Sequence, residues 1–195
     1  MKGAPLWTRW ILGFDLDGTL VDHTENRLRA AKKLGHSVKK NEASSDVMKK
    51  MMSEAEYREL QRLLYDDPEF AFAPPLHAGA MRALQSVRAA GIPYFLVSRR
   101  KKAGPAIELM KARGLWPEFF NEKNAFFVLE KKDKDAKAQE LGITAYIDDE
   151  PSVLAELASV KHKFLFDPVG AHAKGSGDYA AIRSWPEFIM MITQK

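Results

Sequence analysis

The chain has 195 residues, 46% hydrophobic and 29% charged, which is enough to bury one domain's core and too apolar for intrinsic disorder. It has no cysteine, which excludes disulfides, thiolate metal sites and a cysteine nucleophile and suits a reducing compartment. A net charge of +4 favours anionic partners only weakly. Near the N-terminus one lysine precedes Trp7, Arg9 and Trp10, with no apolar stretch as long as a signal peptide or membrane span. The expectation is a cytoplasmic protein with no membrane partner.

The run Trp10-Ile11-Leu12-Gly13-Phe14 is too short for a helix before Gly18, and predicts a buried parallel strand. Asp15-Leu16-Asp17-Gly18-Thr19-Leu20 follows at its carboxyl end, where an α/β sheet opens its ligand crevice. Aspartates at i and i+2 share one face of a continuing strand, and burying both calls for a cation or a proton between them. A hard divalent ion such as Mg²⁺ answers that need. The plainer alternative is that Asp-x-Asp-Gly is only a turn; the rest of the chain decides.

From 22 to about 67 the pattern is helical and reads as a small insertion outside the sheet. Leu28 and Leu34 mark one side of a first helix that stops at Gly35, and Val47, Met48, Met51 and Met52 mark a second. Ser53 with Glu56 forms a capping box for a third, carrying Leu60, Leu63 and Leu64. The methionines suit either an adaptable substrate surface or packing between helices, and packing is preferred. Asp67-Pro68 and Pro74-Pro75 bracket Phe70 and Phe72 as a stiff return linker.

A helix through Met81, Leu84 and Val87 ends at Gly91, and 93–97 is the second strand, with Ser98 at its carboxyl end. Gly104-Pro105 opens the next helix, closed by Gly114. Phe126-Phe127-Val128 is the third strand, 133–141 a helix, and Ala145-Tyr146-Ile147 the fourth strand, ending in Asp148-Asp149. Pro151 starts a helix, Phe164-Leu165-Phe166 is a fifth strand, and Ser184 with Glu187 caps the last helix. Strands alternating with helices predict an α/β fold: a doubly wound, Rossmann-like parallel sheet of about five strands, with a small helical unit inserted after the first. The stretch 170–177 is a loop with no assigned role. The aromatic segment 115–120 suits either an exposed interface or packing on its own sheet.

Parallel connections bring every strand's carboxyl end to one edge, so Asp15, Asp17, Ser98, the lysines of 131–134, Asp148 and Asp149 converge. Their chemistry is coherent. A carboxylate can attack phosphorus and a second can protonate the leaving oxygen and then activate water, while a metal, a lysine and a hydroxyl neutralise growing charge.

In these motifs the sequence resembles the haloacid dehalogenase (HAD) superfamily, in its phosphatase branch: Asp15-Leu16-Asp17-Gly18-Thr19, Ser98 after a buried strand, a lysine, and Ile147-Asp148-Asp149-Glu150-Pro151, in the family's order. The resemblance implies Asp15 as nucleophile and metal ligand, and Asp17 as general acid/base that also offers its backbone carbonyl to Mg²⁺. Ser98 would bond the phosphoryl group. Asp149 would be the third metal carboxylate, supported by Asp148. It implies Lys134 as the lysine, seven residues before Leu141-Gly142, with Lys131, Lys132 and Lys137 as alternatives. It makes 22–75 a small C1 cap with its return linker, on a core of 1–21 and 76–195.

His23 and Thr24 would then sit near the site mouth, with a hinge or surface position as the plainer reading of His23. His36, His77, His162 and His172 show no metal-ligand spacing. Gly18 and Thr19 join Arg99 and Arg100 as expected substrate contacts. The run Arg99-Arg100-Lys101-Lys102 opposes the dipole of the helix that follows, and suits a substrate with more negative charge than one phosphate, such as a nucleotide. The expected activity is Mg²⁺-dependent hydrolysis of a small, anionic phosphomonoester through an aspartyl phosphate, with no obligate protein partner. A nucleic-acid 3′-phosphatase, a phosphomutase and a weakly active phosphate-binding regulatory module are the alternatives, nucleic acid being disfavoured by the lack of aromatics placed for stacking.

Overall fold

A computed structural model describes residues 10–172 and 177–193; Trp7, Arg9 and the middle of the 170–177 loop lie outside the described residues. Strand β1 (Leu12–Phe14) is central, flanked by β2 (Tyr94–Arg99) and β4 (Ala145–Asp148), with β3 (Ala125–Val128), β5 (His162–Phe166) and β6 (Ala180–Ile182) outside, all parallel in the order β3-β2-β1-β4-β5-β6. The expected sheet of about five strands is therefore six. Strand β6 is three residues long, Ala-Ala-Ile, with too little β-branched or alternating character to stand out.

Helices cover both faces. On one side α5 (Ala80–Ala89), α6 (Ala103–Ala112) and α9 (Trp185–Thr193) pack over Phe14, whose ring meets Trp185 at 5.8 Å and Phe188 at 6.3 Å. On the other, α7 (Lys131–Glu140) and α8 (Pro151–Glu156) pack around Val97, Tyr146 and Leu165. Gly13 is required here: a Cβ on it would stand 2.3 Å from the Tyr146 ring. Leu115, Phe119 and Phe120 are buried in the first of these layers, so the aromatic segment packs on its own sheet.

The inserted helices α1 (Thr24–Lys33), α2 (Ser45–Met51), α3 (Glu54–Asp66) and α4 (Pro68–Ala71) enclose a separate small core of Ala30, Ala31, Met48, Leu60, Leu63 and Phe70. The Ser53–Glu56 capping box forms, with the serine hydroxyl accepting from Glu56 N at 3.3 Å. Three local expectations are corrected. The buried face of α1 runs through Thr24, Arg27, Ala30 and Ala31, with Leu28 half-exposed. Met51 faces solvent. Residues 68–71 are a helix capped by Asp67, which accepts from Glu69 N at 3.0 Å, because proline suits a first helical position. The chain leaves and returns as an antiparallel ribbon: Asp22 N donates to Pro75 O at 2.8 Å, and His77 N to Leu20 O at 2.9 Å. Among the described residues no helix is long and apolar enough to cross a membrane.

Candidate active site

Register builds the floor of the site. Phe14 pairs with both Leu96 and Ile147, so the next residues, Asp15 and Asp148, emerge side by side from β1 and β4. Helix α7 begins at Lys131, two residues earlier than expected, because Glu130 and Asp133 cap each other's backbone. Lys134 then falls in its first turns and runs inward. Its ammonium bonds Asp15 Oδ1 at 2.6 Å and Asp148 Oδ2 at 2.7 Å, and the side chain is 2% exposed. Of the four lysines considered, Lys134 is the one at the carboxylates; Lys131 lies on Glu150 at 3.0 Å and Lys137 on Glu140.

Burial penalises the charged form of Asp15 and raises it above the ordinary carboxylate range, although Lys134 pulls it back. Asp148 and Asp149 are raised by burial too, each countered by its nearest cation. Carboxylate oxygens of Asp15, Asp148 and Asp149 lie within 4.8 Å of one another. An all-oxygen set with excess negative charge under desolvation fits a hard cation such as Mg²⁺. Gly18 makes this packing feasible. It has φ of +87°, and a Cβ there would stand 2.0 Å from Asp149 Oδ2.

Asp17 is committed differently. Its carboxylate takes Arg100 Nε at 2.7 Å and Nη2 at 2.6 Å as a fork, and His23 Nε2 at 2.7 Å. Burial alone would raise this carboxyl, but Arg100 and His23 hold it well below the usual range. His23 is itself kept neutral by burial, so Nε2–H donates to Asp17 and Nδ1 is left without a partner. Tyr65 of α3 closes over both, with the Arg100 guanidinium 4.2 Å from its ring centre and the His23 ring at 5.7 Å. The surface reading of His23 is overturned: it is completely buried, since the hinge ribbon turns it inward.

Above the floor is a cavity of about 760 Å³, roofed by α3 through Arg58, Gln61 and Tyr65 and rimmed by Ser98, Arg99 and Lys101. Arg100 reaches it from the side, paired to Asp17. Arg99 is a third exposed and 3.9 Å from Glu150. Gly18 and Thr19 are not brought to this cavity: Gly18 borders a smaller pocket near Asp149, and Thr19 is completely buried.

Arg27 lies outside the expected set. It is 4% exposed, and both terminal nitrogens stand 3.5 Å from Asp149 Oδ2. Its sequence signal is an arginine on the α1 face that otherwise carries Thr24, Ala30 and Ala31, where a solvated charge is out of place. Tyr65 carried no comparable signal, since an aromatic on an amphipathic helix reads as packing.

No protein-family model matches the sequence, and none of the curated proteins matches it. Solved structures do. A HAD family hydrolase from Deinococcus radiodurans R1 with bound phosphate and sodium is 18% identical, with a TM-score of 0.62 over 93% of this chain and 94% of that one. A predicted phosphoglycolate phosphatase from Haemophilus somnus 129PT is 16% identical, with a TM-score of 0.59 over 94% and 97%. A dehalogenase solved as an intermediate complex is 13% identical, with a TM-score of 0.64 over 95% and 97%. At these identities the likeness establishes the fold and leaves the chemistry to this chain's own residues.

Proposed function

With the fold of the HAD hydrolases as premise, we propose that this protein is a Mg²⁺-dependent phosphomonoester hydrolase working through an aspartyl phosphate on a small anionic metabolite. The observation that carries the reading is the floor of the cavity: Asp15, which lines it with one oxygen fixed by buried Lys134, two residues before a second carboxylate. The similarly folded Deinococcus protein, solved with phosphate bound, supports it.

In this reading the other oxygen of Asp15 attacks phosphorus and the bond to the leaving oxygen breaks, that oxygen taking a proton from Asp17. Water then attacks the same phosphorus and gives a proton back to Asp17, and the Asp15–phosphorus bond breaks to release phosphate. Lys134 keeps Asp15 ionised and oriented. Asp15, Asp149 and the Asp17 carbonyl, with Asp148 in support, would hold the metal, which when bound would supply counter-charge for the phosphoryl oxygens. Asp17 needs a proton before it can act as an acid, and its pair with Arg100 opposes that. An arriving phosphoryl group offers Arg100 another anion, and so frees Asp17 to be protonated.

The cavity walls bear on substrate class. Seven acidic and seven basic side chains line the cavity, so it carries no overall surplus of charge, and Arg99 and Lys101 mark the cationic part of its rim. That placement favours a substrate with a second anionic group near the rim, and the α3 roof favours a small molecule over a nucleic-acid strand.

The test is phosphate release from sugar phosphates, nucleotides, bisphosphates and a 3′-phosphorylated oligonucleotide, with Mg²⁺ or EDTA, beside Asp15→Asn. Metal-dependent turnover that falls at least about 10³-fold in the variant is expected. No turnover on any member, with no phosphate trapped on Asp15, would overturn the reading.

A further inference from the structure

Asp149 meets its cation across a boundary. Arg27 belongs to the inserted helices and is anchored among them: its Nη1 donates to Ala43 O at 3.1 Å and its Nη2 to Ser45 Oγ at 3.1 Å. From that mount it reaches Asp149 of the sheet edge with both nitrogens at 3.5 Å on a single oxygen. The same molecule shows what a committed pair looks like, in the 2.6 and 2.7 Å fork of Arg100 on Asp17. Arg27 is bonded to the inserted helices and only charged toward the sheet, so its charge at Asp149 depends on where those helices sit.

We infer that Arg27 sets the affinity of the Asp15–Asp148–Asp149 cluster for a divalent cation, and that metal binding is thereby coupled to the seating of the inserted helices. The inference rests on reading these carboxylates as a metal site, and does not depend on what is hydrolysed. Charge gives its direction. Three carboxylates and Lys134 sum to −2, which one divalent ion neutralises. Arg27 adds a further positive charge, inside a site where burial weakens screening. Seated helices therefore disfavour the ion, and the ion disfavours seated helices by the same factor. A phosphoryl anion relieves the surplus, so substrate restores the seating that the metal alone disfavours. The seat has its own latch: Asp46 of α2 accepts from Ser152 Oγ at 2.6 Å and from Ser152 N at 3.2 Å.

The experiment measures Mn²⁺ binding to the full chain by electron paramagnetic resonance at pH 8 without substrate. Arg27→Gln, which keeps a donor for Ala43 O but no charge, is expected to bind Mn²⁺ at least tenfold more tightly than wild type. Arg27→Lys, which keeps the charge, should stay within threefold. Asp46→Ala, which opens the latch and leaves Arg27 intact, should tighten binding at least threefold, although losing a carboxylate by itself works the other way. It keeps the test alive if Arg27→Gln does not fold. Unchanged or weaker binding in folded Arg27→Gln, or in Asp46→Ala where Arg27→Gln does not fold, overturns the inference while leaving the metal site standing. No Mn²⁺ binding in any protein overturns both.

Discussion

Lys134 reaches Asp15 and Asp148 at 2.6 and 2.7 Å from within the sheet's own layers, whereas Arg27 crosses from the inserted helices to stand 3.5 Å from Asp149. Both cations are buried and both answer desolvated carboxylates, but they are held differently. Lys134 also lies over the Tyr146 ring of the sheet itself, 5.7 Å from its centre, and cannot leave without the sheet coming apart. Arg27 is tied to a unit with its own core, and leaves whenever that unit lifts. One half of the site is fixed by the fold, and the other is conditional on the position of the insertion. Charge that must be present throughout a reaction belongs to the first half, and charge that changes between steps belongs to the second.

Breaking the fixed half has the largest expected effect. In Lys134→Met two buried carboxylates lose their shared cation, and a stability loss of about 3–5 kcal/mol is expected in urea titrations. Because the same ammonium orients Asp15, phosphate release should fall by roughly 10²–10³ even at temperatures where the variant is folded. A variant that melts like wild type would show that Lys134 is as conditional as Arg27.

The seam between the halves gives the next effect. His77 donates its Nε2–H to Gly18 O at 3.1 Å, and packs edge-on to Phe166, so it ties the returning ribbon to the turn behind Asp17. Burial lowers it from the ordinary 6.5 to about 4. As pH falls the unfolded chain takes up this proton first, so the contribution of neutral His77 is whole above about pH 6.5. It is lost progressively down to about pH 4, by up to about 3 kcal/mol. His77→Gln keeps a donor and cannot titrate, so its stability should fall less steeply than wild type over that window. Parallel curves would mean that His77 makes no contribution to acid sensitivity.

How much of this was legible follows the same division. Asp15, Asp17, Asp148 and Asp149 stand at strand ends, and alternating strands and helices are enough to bring strand ends to one edge. Lys134 needed more, because helical phase alone did not separate it from Lys131 and Lys137; reciprocal capping by Glu130 and Asp133, which starts α7 early, sets that phase. Residues acting across the seam were legible only in part: Arg27 stands out as a charge on an otherwise uncharged helix face and His23 was expected near the site mouth, but the contacts that either makes were not. Arg27, His23 and Tyr65 owe their positions to how two cores dock, and docking leaves no period in either segment. Arg100 was expected to meet substrate from its place beside Ser98, and its fork on Asp17 is a tertiary contact that place does not encode.

The smallest effect separates the two cores most cleanly. Ser53 caps α3 through its hydroxyl and does not itself line the cavity, and Ser53→Ala should cost about 1 kcal/mol. All of that loss falls on the inserted helices, whose core contains Leu60, Leu63 and Leu64 of α3. If the insertion is an independent unit, hydrogen exchange should quicken in residues 24–71 and stay unchanged in β1 and β4, because the sheet gains nothing from a better-capped α3. If exchange quickens equally in the strands, the two cores unfold together. Arg27 would then leave Asp149 only when the whole protein opens, and the conditional half of the site would be as fixed as the half built on Lys134.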